Sequence, residues 1–305
     1  MPGIKELKTR IKSISGTRKV TRAMQMVSAA KMRKGQDAAL KSRAYSTLAW
    51  ELILNLSSSR QITAELLKTY PKAKKAAVLV LSSNRGMVGS LNSNLLNMVL
   101  QSTQQRGLET DFITYGRKGR DVMVKTHKEV LADFEKYDRL ITTADIAPIA
   151  EFITNLYNSG KYEKVFIYYN HFVSTLAQKP TVKQLLPFSH HVIASPNASE
   201  SAAITHKANN EKIATDAPAT TDYLFEPTPE EVMKSLLPRI IESQIYQTIL
   251  ESEASEQSAR MVMMKNATEA AGDLISDLTL TYNKLRQGKI TTELAEITAG
   301  KIALE

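Results

Sequence analysis

Residues 4–14, Ile4-Lys5-Glu6-Leu7-Lys8-Thr9-Arg10-Ile11-Lys12-Ser13-Ile14, place apolar side chains at 4, 7, 11 and 14. Spacings of three, four and three are the seam of a coiled coil rather than one side of a compact globule. Val20, Met24 and Val27 continue the rhythm. Residues 1–58 therefore read as one long helix or two nearly continuous ones. Gly16 and Gly35 interrupt it, each costing roughly 1 kcal/mol as a helix residue. A bend or break is expected at Ser13-Ile14-Ser15-Gly16-Thr17.

A coiled-coil strand needs a partner, and the other end of the chain supplies one. Thr228-Pro229-Glu230-Glu231 gives a cap, a proline at the first helical position and an acid at the third. Neither Gly nor Pro occurs from Glu242 to Ala271. Ile241, Ile245, Ile249, Ala259, Met263, Ala267, Leu274, Leu278 and Leu285 trace a stripe close to the helical period. Pro238 should kink the early part. A helix of about 60 residues would be about 90 Å long. The charges are complementary: residues 1–43 hold twelve Lys/Arg against two acids, whereas 242–305 hold six against ten. The ends are expected to form an antiparallel coiled coil, with 1–58 as one strand and 228–305 as the other. Alanine and methionine on the second strand suit close approach and contacts that change.

Between the ends the pattern changes. Residues 76–81 (AAVLVL) fit a buried strand, and 111–115, 139–143 and 165–170 are further strand candidates. Helices are expected at 91–105, 117–130 and 145–159, and 181–186 is apolar enough for an edge strand. This alternation predicts a Rossmann-like α/β domain over 75–190 around a mostly parallel sheet. Residues 189–222, rich in Ser, Ala, Asn, Thr and Pro without an apolar period, read as an exposed insertion or mobile loop.

Composition excludes several classes. The 305 residues are 43% hydrophobic and 23% charged, ordinary for a folded soluble protein. No apolar run approaches the roughly 20 residues needed to span a bilayer, and the first residues lack the apolar core of a secretory signal. Without cysteine there is no disulfide, thiol nucleophile or cysteine-ligated metal. His127, His171, His190, His191 and His206 form no HxxxH pair, so no metal site is expected. No GxSxG elbow appears. The turn Ser82-Ser83-Asn84-Arg85-Gly86-Met87-Val88-Gly89-Ser90 follows the first strand, where open α/β sheets bind phosphates. Its spacing fits neither GxGxxG nor GxxxxGK[ST], so Gly86 and Gly89 are read as serving a tight turn. No catalytic residue and no cofactor is assigned. The basic N-terminal helix leaves three readings open: an acidic protein surface, nucleic acid, or a solvated face. Aromatics that would stack on bases are missing from the first 44 residues.

Residues 7–34, LKTRIKSISGTRKVTRAMQMVSAAKMRK, resemble the N-terminal signature of the ATP synthase gamma-subunit family. Residues 251–300, ESEASEQSARMVMMKNATEAAGDLISDLTLTYNKLRQGKITTELAEITAG, resemble its C-terminal signature, and SSNRGMVGSLNSNL resembles its central glycine turn. The resemblance implies a non-catalytic rotor shaft, peripheral to the cytoplasmic face of the cell (inner) membrane. Its coil would turn inside a ring of three alpha and three beta subunits, with the α/β domain on the epsilon subunit and the c-subunit ring. Carried over by position, it places Met24, Lys31, Arg33 and Lys34 against beta. Arg286, Gln287, Thr291 and Glu293 match the polar contacts to the catch region of beta, and Ser255, Glu256, Gln257, Arg260 and Met261 belong to the C-terminal signature. A coiled-coil nucleic-acid binder and an α/β nucleotide-binding enzyme are the alternatives; the second would need a phosphate loop the sequence lacks.

The chain departs from the family pattern at Gly288, where alanine is usual, and at Gly16, where asparagine is. Val88-Gly89-Ser90 stands for Cys-Gly-Gly, and 189–216 is longer than in the commonest bacterial members. The regulatory cysteine pair of plastid relatives is absent, which favours a bacterial origin.

Overall fold

The computed structural model describes residues 3–57, 66, 68–71, 73–187 and 228–302. Helix α1 spans Ile4–Ser57. The sheet strands and their helices follow as β1 (Lys75–Leu81), α2 (Leu91–Arg106), β2 (Glu109–Tyr115), α3 (Arg117–Lys125), β3 (Val130–Phe134), α4 (Thr143–Asn158), β4 (Tyr162–Phe172) and β5 (Gln178–Leu186). Helix α5 spans Pro229–Ile302. An α/β domain is thus inserted in the chain between two long helices, as expected. Two compact units separate, Met1–Ala30 with Arg260–Glu305, and Lys31–Ala259.

In the unit Lys31–Ala259, the sheet order is β3-β2-β1-β4-β5. Strand β1 pairs in parallel with β2 and β4, and β2 with β3; β5 alone is antiparallel, against β4. Strand β1 is central and buried on both faces, which is why it reads as an unbroken apolar run. One face (Ala76, Val78, Val80, Phe112, Phe166, Tyr168) packs on Leu95, Leu96 and Val99 of α2 and Met123 of α3. The other (Ala77, Leu79, Leu81, Ile113, Val165, Ile167) is covered by Ile146, Ile149 and Ile153 of α4. Leu237, Ile240, Ile241, Ile245, Ile249 and Leu250 of α5 complete that same core. The first turns of the C-terminal helix are therefore a core layer of the α/β domain.

Two element assignments are corrected here. The strand expected at 139–143 is absent: these residues lead into α4, and the third strand is Val130–Phe134. Helix α3 accordingly stops at Lys125 rather than 130, and His127 turns the chain with a φ of 53°. Residues 139–143 are apolar enough to imitate a strand, but their polar groups serve the helix that follows. The Asp145 carboxylate accepts the backbone N–H of Thr142 at 2.8 Å and both guanidinium arms of Arg139 at 2.8 and 2.6 Å. Those bonds, the Arg139 pair first, hold the Asp145 carboxyl well below the usual carboxylate range. The expected cap of α5 is present, with Thr228 Oγ accepting the Glu231 N–H at 3.3 Å. The insertion read at 189–222 lies outside the described residues.

In the unit Met1–Ala30 with Arg260–Glu305, the helices run antiparallel. Thr21 and Thr268 hydroxyls meet at 2.7 Å. Three residues back on α1 and four forward on α5, the Arg18 guanidinium lies 3.4 Å from where a Cβ on Gly272 would stand. No break occurs at Gly16; α1 is continuous through it. The seam also differs from the expected one. Ile4, Leu7, Ile11, Ile14, Thr21, Gln25 and Ser28 turn inward, whereas Val20 and Val27 are 58% and 56% exposed. The heptad keeps strict count from Ile4, and Val20, Met24 and Val27 each fall one residue short of it. On α5 the inward positions are Met264, Thr268, Ala271, Ile275, Leu278, Tyr282 and Leu285, and Leu274 is exposed.

Candidate functional site

The eight interface residues named above fall into three settings. Met24 is half-buried beside the seam. At the start of the other unit, Arg33 and Lys34 are exposed. Lys31 is half-buried and donates to the Asp138 carbonyl at 2.9 Å, which fixes the stem of its side chain. Lys34 also lines an open cleft of about 770 Å³ with Asp37, Lys41, Arg239, Glu242 and Tyr246.

The third group lies on the last turns of α5. Leu285 is the last inward-turned position, and residues 286–299 are all exposed. Thr291 back-bonds to the Gln287 carbonyl at 3.0 Å, and Glu293 pairs with Lys289 at 3.5 Å. At about 100° per residue, Ile290, Leu294 and Ile297 fall in one stripe. Their exposures are 49%, 59% and 70%. By the same geometry Arg286 and Glu293 border that stripe on one side, and Gln287 and Thr291 on the other. An apolar strip with a polar margin is how a protein–protein interface is built. Sequence reading found the four polar residues and missed the three apolar ones between them, although their spacings of four and three were a signal in plain view.

The glycine turn after β1 is a packing device. Ser82 Oγ accepts the Gly119 N–H at 2.7 Å and donates to the Gly116 carbonyl at 2.9 Å. Gly116 has a φ of 104°, and a Cβ there would stand 2.3 Å from the Ser82 carbonyl oxygen. The close approach therefore belongs to Gly116, not to Gly86, around which a Cβ would meet nothing. Arg85, in this turn, pairs with Asp138 at 2.7 Å.

A further polar region was not anticipated. Residues 252–260 of α5 are buried throughout despite the sequence Ser252-Glu253-Ala254-Ser255-Glu256-Gln257-Ser258-Ala259-Arg260. Lys136 Nζ meets Glu256 Oε2 at 2.5 Å, with both side chains 8% exposed. Burial pushes the Glu253 carboxyl above its ordinary value, against the pull of Lys136. Ser255 donates to the Asn170 carbonyl and Ser258 to the Thr175 carbonyl, each at 2.8 Å. Among the described residues no group of His and acidic side chains is arranged to hold a metal ion. No described helix is long and apolar enough to cross a membrane.

Known proteins agree with this architecture. A family model described as ATP synthase matches residues 3–304. The ATP synthase gamma chain of Chloroflexus aurantiacus is 40% identical over 310 residues, covering 100% of this chain and 99% of the relative. That of Haemophilus influenzae is 38% identical, with both chains covered in full. Among solved structures, a chain of the Euglena gracilis mitochondrial ATP synthase has a TM-score of 0.64 at 20% identity, over 99% of this chain and 94% of that one. With the whole length matched at this identity, and two long helices enclosing an α/β domain in sequence, the chain belongs to the ATP synthase gamma-chain family.

Proposed function

We propose that this chain is the central rotor shaft of an F-type ATP synthase, without a catalytic site of its own. Its coil turns within a ring of three alpha and three beta subunits. Its α/β domain seats on the epsilon subunit and the c-subunit ring, at the cytoplasmic face of the membrane. The observation that carries this reading is the asymmetry of α5. It begins as a core layer of the α/β domain and ends as an exposed helix with an apolar stripe. Residues 237–250 of α5, built into the domain core, move with that domain. An exposed amphipathic end fits a sleeve supplied by other chains.

Met24, Lys31, Arg33 and Lys34 then face beta at the N-terminal helix, and Arg286, Gln287, Thr291 and Glu293 face it at the end of α5. Cationic side chains on a shaft pass from one acidic partner to the next, and exposed pairs bind weakly enough to release. Rotation presents each beta subunit with a different face in turn. Because those faces bind open and closed beta differently, turning the shaft shifts the balance between states and so releases ATP. Hydrolysis drives the cycle in reverse.

The test is to mix the purified chain with alpha and beta subunits and measure assembly and ATP hydrolysis. A complex of three alpha, three beta and one copy of this chain, active only when assembled, is expected. Failure to assemble, with hydrolysis or salt-sensitive nucleic-acid binding by the chain alone, would overturn the reading.

A further inference from the structure

Between residues 237 and 250, α5 meets the α/β domain through aliphatic side chains. Such contacts are strong but non-directional, and packed helices shear past one another at modest cost. Between 251 and 258 the contact changes in kind. Glu251 meets His171 Nδ1 at 2.8 Å. Ser255 and Ser258 reach backbone carbonyls at the end of β4 and in the turn beyond it. Glu256 receives Lys136. Residues 170–175, at the end of β4 and in the turn beyond it, and Lys136 from a separate loop meet the helix over residues 251–258, so it is held by bonds of fixed direction.

Lys136 sits on a segment that is itself anchored. Its own carbonyl accepts Asn84 Nδ2 at 2.6 Å. Two residues on, Asp138 takes Arg85 at its carboxylate and Lys31 of α1 at its carbonyl. The 135–142 segment is thereby tied to the glycine turn, to α1 and to α5. A charge-assisted bond between two buried groups fixes geometry more tightly than apolar packing, and sliding it apart would separate two opposite charges in a desolvated setting.

We propose that Lys136 is a positioning residue for torque: through Glu256 it indexes α5 to the α/β domain, so that turning force on the domain reaches the helix without slip. This rests on the rotor reading, and its test is chosen to fail separately from it. The complex with alpha and beta is immobilised and a bead attached to the α/β domain of this chain. The angular fluctuation of the bead at a dwell reports torsional compliance, and ATP-driven ion transport by the complete enzyme reports work against load.

Lys136→Met alone removes the buried cation that meets Glu256 and is expected to lower thermal stability. The double variant Lys136→Met/Glu256→Met replaces the pair with apolar packing, so stability and unloaded hydrolysis are expected to stay near those of the parent. The variance of the bead angle is expected to widen above that of the parent, with loaded ion transport falling while unloaded hydrolysis does not. Lys136→Arg, which keeps the charge, is expected to stay stiff. A folded double variant as stiff as the parent, and equally able to work against load, overturns the proposal. If the double variant does not assemble, the exchange Lys136→Glu/Glu256→Lys decides: stiffness recovered above that of Lys136→Met supports indexing, and stiffness no better than that of Lys136→Met overturns it. Failure of the unaltered chain to assemble would count against the rotor reading instead.

Discussion

Two residues show how local chemistry sets constraints on this fold. At Gly116 the backbone is left-handed and a Cβ would overlap the Ser82 carbonyl. Gly116→Ala is therefore expected to destabilise the α/β domain by about 3 kcal/mol or more, from strain and overlap together. Denaturant unfolding of the full chain measures it. Glu253 has its carboxyl pushed up by burial. As pH rises past the ordinary value of 4.5, the unfolded chain loses this proton while the folded chain keeps it. Stability falls through that window and levels off once the folded group has also ionised. Glu253→Gln is expected to remove this fall and to raise the melting temperature at pH 7, which a pH series of thermal melts on the two chains compares directly. The glycine turn was visible in the sequence, but the residue that most needs its glycine stands 27 positions beyond Gly89. Only the approach of β1 to the start of α3 brings Gly116 onto Ser82.

At the level of elements, strands β1, β2 and β4 were legible because burial on both faces makes them continuous apolar runs. Strand β3 was not, because an edge strand that is only half-buried follows a helix with only a short turn between. The C-terminal helix was legible in type and length but not in its surroundings. Serines and glutamates at 252–258 carry no local sign of burial, and nothing in them tells that Lys136 and the end of β4 with the turn beyond it will close over them. The helix end makes its own prediction. A Cβ added at Gly288 would meet nothing within 4 Å, so Gly288→Ala adds no clash and gains about 1 kcal/mol of helix propensity. Hydrogen exchange of amides near 288 is expected to slow in the variant. If this glycine softens the shaft, coupling in the reconstituted enzyme rises with it, and unchanged coupling removes that role. On the other helix, Val20→Lys with Val27→Lys is expected to change the stability of the isolated chain by no more than about 0.5 kcal/mol, since both valines lie off the seam. A large loss in a thermal melt would mean the seam is elsewhere.

For the whole molecule, the sequence made the architecture readable and left the interface to be inferred. Helix periodicity and charge belong to this chain alone, whereas the roles proposed for Met24, Arg33, Arg286 and Gln287 depend on surfaces of other chains. The built-in first turns of α5 lead to a stability prediction. Ile245→Ala, at a residue with no exposed surface, is expected to cost about 2–5 kcal/mol. Strand and helix amides should then lose exchange protection together, since they share one core; loss from the helix alone would contradict that. The bare end of α5 has a consequence for the living cell. A copy made in excess of its partners carries Ile290, Leu294 and Ile297 exposed, and among the described residues no element shields this helix end from a protease or its apolar stripe from other nascent chains. Synthesis of this polypeptide is thus best matched to that of its partners, and the surplus carries at its own C-terminal end the mark by which quality control would find and remove it.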